Sequence, residues 1–178
     1  IETDYVLDAT GRKPNVEQIG LEKVGIQFSD RGIEVDDYLR TNVKNIYASG
    51  DVIDKMIPKL TPTATFESNY IAAHILGLNT EAIQYPPIPS VLYSLPRLSQ
   101  IGVTVSEAKK DDTYIIKDIP FGRQMVFEYQ NETEAEMSIV LDSQKRLVGA
   151  EIYGNDAGDL VNLLVFIINQ KLTAQDLN

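Results

Sequence analysis

Prolines at 86, 87 and 89, within Tyr85-Pro86-Pro87-Ile88-Pro89, remove backbone donors and fix the chain direction at three of four successive positions. No helix or sheet interior runs through such a stretch, so the chain divides there into two halves and a domain boundary is expected. With 178 residues, 43% of them hydrophobic, there is material for one comfortable core or two small ones.

In the first half, Tyr5–Leu7 reads as a strand that runs into a glycine turn at Gly11 and a break at Lys13-Pro14. Glycines at 20, 25 and 32 punctuate short segments, and Gly25–Phe28 alternates with Gly32–Val35 around Ser29-Asp30-Arg31 as an antiparallel hairpin would. Ile46-Tyr47-Ala48 is a short apolar strand expected to be buried. Thr61-Pro62 has the form of an N-cap followed by proline at the first helical position, with Ala64–Leu76 as helix body and Gly77 as its end.

The second half predicts strands at Val91–Tyr93, Ser99–Thr104, Thr113–Lys117, Ala135–Leu141 and Leu147–Tyr153, a short helix at Ser106–Lys110, and a hairpin turn at Asp142–Lys145. Asp156–Asn169 reads as a longer helix N-capped by Asp156. This is an α+β pattern dominated by antiparallel strands. Leu160, Val161, Leu163, Leu164, Val165, Phe166, Ile167 and Ile168 make the last helix apolar on nearly every face. It is either wedged within its own chain or buried against a partner.

The segment Thr41–Asp51, TNVKNIYASGD, carries the clearest chemical signal. Gly50 permits close approach, and Asp51 places an acceptor-only carboxylate at a strand exit, suited to a ligand hydroxyl or to capping the next segment. The helix start at Thr61 offers unpaired N–H groups and a partial positive charge, which serve an electron-rich ring edge or an ordinary cap. A net charge of -10 lacks the footprint of a nucleic-acid binder and disfavours an anionic membrane surface. The apolar run Leu160–Ile168 is far short of the ~20 residues of a membrane helix, and with no signal pattern a cytoplasmic location is expected. There is no cysteine, which excludes structural disulfides, thiolate metal sites and dithiol exchange by this chain alone.

Five stretches, in order, resemble one family: ATGRKPN with TNVKNIYASGD, then KLTPTA (59–64), YSLPRLSQIGVT (93–104) and LVGAEIYGNDAGDLVNLL (147–164). They are similar to the second half of the FAD-dependent pyridine nucleotide-disulfide oxidoreductases, which include glutathione reductase and dihydrolipoamide dehydrogenase. The resemblance implies an antiparallel-sheet dimerisation domain over residues 83–178, preceded by a partial FAD-binding α/β segment over 16–82 and the end of an NAD(P)-binding domain over 1–15. It further implies FAD contacts at Gly50, Asp51, Leu60, Thr61 and Pro62, with Asp51 accepting from a ribityl hydroxyl, and NAD(P)H contacts near Gly11 and Val91. It also implies a homodimer through residues 85–178 and a small-molecule disulfide substrate, while the acidic charge leaves no nucleic-acid or membrane partner expected.

In the family, a cysteine pair and a catalytic histidine lie in stretches with no counterpart here, so the chain is expected to be an inactive carboxyl-terminal fragment of an enzyme, with no catalytic residue and no metal site of its own. His74, the only histidine, reads as a surface or packing residue on its helix. LTP resembles the glutathione reductase branch, yet that branch carries an arginine eight residues beyond the threonine, where this chain has Asn69. Without the guanidinium fork a glutathione carboxylate loses its bidentate partner, and the substrate stays open. Arg12 reads as a phosphate contact or as a solvated side chain. The alternatives are a non-catalytic dimerisation module and a part of an NADH oxidase or peroxidase, which use a single cysteine.

Overall fold

A computed structural model describes residues 2–176 and divides into two compact units, the first ending at Gln84 and the second beginning at Tyr85. The division falls in the proline-rich stretch, where backbone donors are scarce.

The first unit contains helix α1 (Leu21–Val24), strands β1 (Phe28–Ser29) and β2 (Gly32–Ile33), a 3-10 turn at Gly50–Val52 and helix α2 (Thr61–Ile75). The hairpin forms around the expected turn, with Phe28 opposite Ile33 and Ser29 opposite Gly32, but it is only two residues long on each side. The expected strand at Tyr5–Leu7 does not form. The Thr3 hydroxyl instead bonds the Tyr5 carbonyl and amide at 2.9 and 3.4 Å, and the three side chains are 92%, 85% and 92% exposed. A strand is held by its neighbours, and none of the described residues pairs with this one.

The expected strand at Ile46–Ala48 is reduced to a single antiparallel bridge between Tyr47 and Arg40, with the Ala48 amide donating to the Leu39 carbonyl at 3.1 Å. Ala48 is buried, whereas Ile46 and Tyr47 are only half-buried. Asn45, at φ 67, turns the chain tightly enough that the segment folds back on residues 39–41 instead of extending. Beyond it the 3-10 turn docks on the hairpin. Ile33 and Ile53 form a parallel bridge, the Asp54 amide donates to the Ile33 carbonyl at 2.9 Å, and Ile53 is fully buried.

The second unit is built on a five-stranded antiparallel sheet in the order β3-β4-β7-β6-β5, from β3 (Ser90–Leu92), β4 (Leu98–Gly102), β5 (Ile115–Ile119), β6 (Glu136–Leu141) and β7 (Leu147–Tyr153). Helix α3 (Val105–Ala108) opens with a reciprocal capping box, in which the Thr104 hydroxyl accepts from the Glu107 amide and the Glu107 carboxylate accepts from the Thr104 amide, each at 3.0 Å. A short helix α4 (Met125–Tyr129), which no sequence signal announced, is fixed by Phe127 packing on Phe121 with ring centres 4.8 Å apart. Asp142 and Lys145 close the β6–β7 turn, with Lys145 at φ 62.

Helix α5 (Ala157–Asn169) lies on the sheet. Ala157 and Val161 are fully buried against Ile101, Ala150 and Ile152, with Val91, Met137 and Ile139 packed around them. The Ser99 hydroxyl donates to the Ala157 carbonyl at 2.8 Å and ties the helix start to β4. Asp156 holds the N-cap position as expected, but its side chain makes no capping bond, because its backbone (φ -88, ψ 8) is already near-helical rather than extended. The opposite face of α5 is open, with Leu163 61% and Phe166 71% exposed.

Candidate functional site

The chemistry-bearing residues of the first unit converge on the 3-10 turn and the start of α2. Gly50 adopts φ +76, and a Cβ on it would stand 3.1 Å from the Ala64 side chain, so the turn requires glycine both for its backbone and for its approach to the helix. Gly32 plays the matching role from the hairpin side, where an added Cβ would lie 2.3 Å from the Val52 carbonyl oxygen. Two glycines thus allow the turn that carries Asp51 to be gripped between β2 and α2.

Helix α2 begins one residue earlier than its sequence suggests. Leu60 is the N-cap, extended at φ -127 and ψ 149, and its carbonyl accepts the first helical bond from the Ala64 amide at 3.0 Å. Thr61 is therefore inside the first turn and caps nothing. The amides of Thr61 and Thr63 lie too early to reach a carbonyl within the helix, and Pro62 has none, so the helix presents two donors at this end. The Thr63 hydroxyl is buried and has no hydrogen-bond partner among the described residues.

Asp51 projects its carboxylate outward, 54% exposed, with Arg12 Nη1 3.5 Å from Oδ2. That contact draws the ATGRKPN segment to the turn. Gly11 itself stands in open space, with no atom within 4 Å of an added Cβ. Arg12, Lys13, Asp30, Arg31, Asp51 and Lys59 line an open cleft of about 340 Å³. Four cations against two acids give it a positive balance within a chain of net charge -10. Arg31 is paired with Asp54 at 3.0 Å, and the Lys59 ammonium donates to the Ile53 carbonyl, so both are held in place rather than swinging free.

Behind the turn lies a residue that sequence reasoning missed. Glu67 is fully buried on α2, and its Oε2 accepts from the Gly50 amide at 2.5 Å. The buried face of α2 is Thr63, Glu67 and Tyr70. That spacing is the helical stripe that marks a core face, but two of its three residues are polar, which conceals it from any hydrophobic pattern.

Further along α2, His74 sits among tyrosines, stacked on Tyr70 at 5.8 Å and close to Tyr38 and Tyr47 at 5.3 and 6.2 Å, with Nδ1 3.0 Å from the Asn79 carbonyl. Its surroundings are those of a packing residue. In the loop that carries Tyr38, partial burial pushes the Asp36 carboxyl up, but the Arg40 and Tyr38 amides and the Arg40 guanidinium outweigh this and hold it below its ordinary value. Asn69 is exposed and borders a separate pocket with Phe66, Tyr70, Asn79 and Gln84. Val91, in the second unit, is half-buried on β3 beside Gly158 of α5. No group of three or more metal-ligating side chains occurs among the described residues. No helix among them is long and apolar enough to cross a membrane.

The pyridine nucleotide-disulphide oxidoreductase model fits residues 1–68, and the dimerisation-domain model of the same group fits residues 88–178. Similar curated proteins include the dihydrolipoyl dehydrogenase of Bacillus subtilis, 39% identical over 99% of this chain and 38% of that protein. A mercuric reductase of Staphylococcus aureus is 33% identical over 99% of this chain and 32% of its own length. The chain thus spans well under half the length of these relatives. Among solved structures, the HOCl-induced flavoprotein disulfide reductase RclA of Escherichia coli shares the fold at a TM-score of 0.82 and 22% identity, over 93% of this chain and 38% of that one. LpdA of Mycobacterium tuberculosis does so at 0.78 and 22%, over 90% and 35%. With both halves of the chain matched in order, and the turn, helix start and antiparallel sheet in place, the chain belongs to the pyridine nucleotide-disulphide oxidoreductase family.

Proposed function

We propose that the chain is the FAD-contacting and dimerisation portion of an FAD-dependent NAD(P)H:disulfide oxidoreductase, with residues 1–15 closing an NAD(P)-binding domain, 16–82 contributing to the FAD-binding domain and 83–178 forming the dimerisation domain. The observation that carries this reading is the outward carboxylate of Asp51 beside the N-terminus of α2 and a cationic cleft. This donor set fits the cofactor. Asp51 would accept from a ribityl hydroxyl, the amides near Thr61 and Thr63 would face the electron-rich edge of the ring, Leu60 and Pro62 would shape the contact, and Arg12 and Lys13 suit phosphate oxygens. These residues would hold a flavin, which would supply hydride acceptance from a nicotinamide and electron-pair transfer to a disulfide. The chain has no cysteine, so the thiols of that exchange come from outside these residues. Gly11 and Val91 are proposed as contacts of the nicotinamide nucleotide.

Asn69 bears on the substrate. The neutral amide offers no fork for a carboxylate, which disfavours glutathione and leaves the disulfide open, and dihydrolipoyl dehydrogenases stand among the relatives. The assembly proposed is a homodimer through residues 85–178, supported by the exposed Leu163 and Phe166 on the outer face of α5. Sedimentation equilibrium with a flavin absorbance scan tests both parts. A dimer carrying flavin in the full-length protein agrees with the reading, and a colourless monomer opposes it.

A further inference from the structure

Glu67 has no part in the contacts assigned so far, yet it is fully buried, a costly placement for a carboxylate that needs a specific partner. Its Oε2 accepts from the Gly50 amide at 2.5 Å, across 17 residues of chain. One turn earlier on the same helix, Ala64 meets Gly50 from the side. Residues 64 and 67 are neighbours on one helix face, so α2 holds the turn at two points, by contact and by a hydrogen bond from the Gly50 amide. Asp51 follows directly. Its carboxylate direction relative to the helix start is therefore fixed by the residue that fixes Gly50.

We propose that Glu67 is a positioning residue, whose buried carboxylate holds the Gly50 amide so that Asp51 and the start of α2 meet the flavin as one rigid unit. The proposal rests on the flavin reading of the site. A leucine would fill the same space with less desolvation, but it would release the Gly50 amide and let the turn rotate about the glycine, the most permissive residue in it.

The test is FAD titration of the full-length apoprotein, followed by flavin fluorescence, in a double-mutant cycle of Glu67→Asp with Asp51→Asn. Shortening the side chain by one methylene keeps the charge and withdraws the acceptor, and it should weaken FAD binding about tenfold or more. Glu67→Gln keeps an acceptor oxygen at full reach and should stay within about fivefold of wild type. If Glu67 acts through Asp51, Glu67→Asp costs less than about threefold once Asp51 is already Asn, whereas a purely structural role gives the same loss in both backgrounds and overturns the proposal. Should Glu67→Asp fail to fold, Glu67→Leu, which fills the same space without an acceptor, takes its place in the cycle, and an equal loss in both backgrounds overturns the proposal. Wild-type apoprotein that takes up no FAD defeats the flavin reading and this proposal together, while wild type that binds FAD beside an unaffected Glu67→Asp defeats this proposal alone.

Discussion

The Ala64 side chain stands 3.1 Å from where a methyl on Gly50 would be, and Gly50 holds φ +76. Gly50→Ala therefore meets backbone strain and a tight contact at once. The substitution should cost about 1–3 kcal/mol of stability and reduce flavin retention, read by thermal unfolding and by absorbance of the purified protein. The same substitution at Gly11, which has open space and no positive φ, should leave stability within about 0.5 kcal/mol.

The β6–β7 turn gives a pH signature. The Arg146 amide leads the interactions that hold the Asp142 carboxyl below its ordinary 3.8; desolvation opposes it, and the Arg146 side chain and the Gln144 amide assist. A carboxylate depressed in the folded state stabilises above its unfolded value, and that contribution is lost as pH falls through the folded value. From about pH 4 downward, wild type should lose stability more steeply than Asp142→Asn, measured as the difference in Tm across an acid series. Parallel curves for the two proteins would remove Asp142 from the account.

The outer face of α5 gives a third prediction. Leu163 and Phe166 are 61% and 71% exposed while Val161 is fully buried, so charge on the outer face spares the core and punishes an interface. Leu163→Glu with Phe166→Glu should leave the unfolding of a monomer within about 0.5 kcal/mol but abolish the dimer in sedimentation.

Inside the sheet the opposite holds. Ile152 is fully buried at the centre of the second core, and Ile152→Ala should cost about 2–5 kcal/mol in denaturant unfolding.

Much of the second unit was legible because its strands alternate and its turns are polar. Strand β7 runs from Leu147 to Tyr153 as its pattern indicated, and Asp142–Lys145 closes the hairpin. The first unit was read less well for a physical reason. Tyr5–Leu7 is apolar enough for a strand, but pairing is a property of two segments, and none of the described residues supplies the second. Ile46–Ala48 has the apolar pattern of a strand, and the positive φ at Asn45 folds it back into a single bridge instead. At the site, Gly50 and Asp51 were visible as a glycine-acid exit. Glu67 was not, since a charged residue on a polar helix reads as solvated until its burial against Gly50 is seen. The capping box at Thr104 and Glu107 was present in the sequence as its usual spacing and would have moved the start of α3.

Whether Asp51 and the start of α2 hold a flavin is decided by FAD titration of the full-length apoprotein, wild type against Asp51→Ala. Wild type should give a yellow complex, and the variant should bind about tenfold to a hundredfold more weakly with its sedimentation unchanged. Equal FAD affinity in the two proteins, or a wild type that takes up no flavin, would contradict the flavin reading.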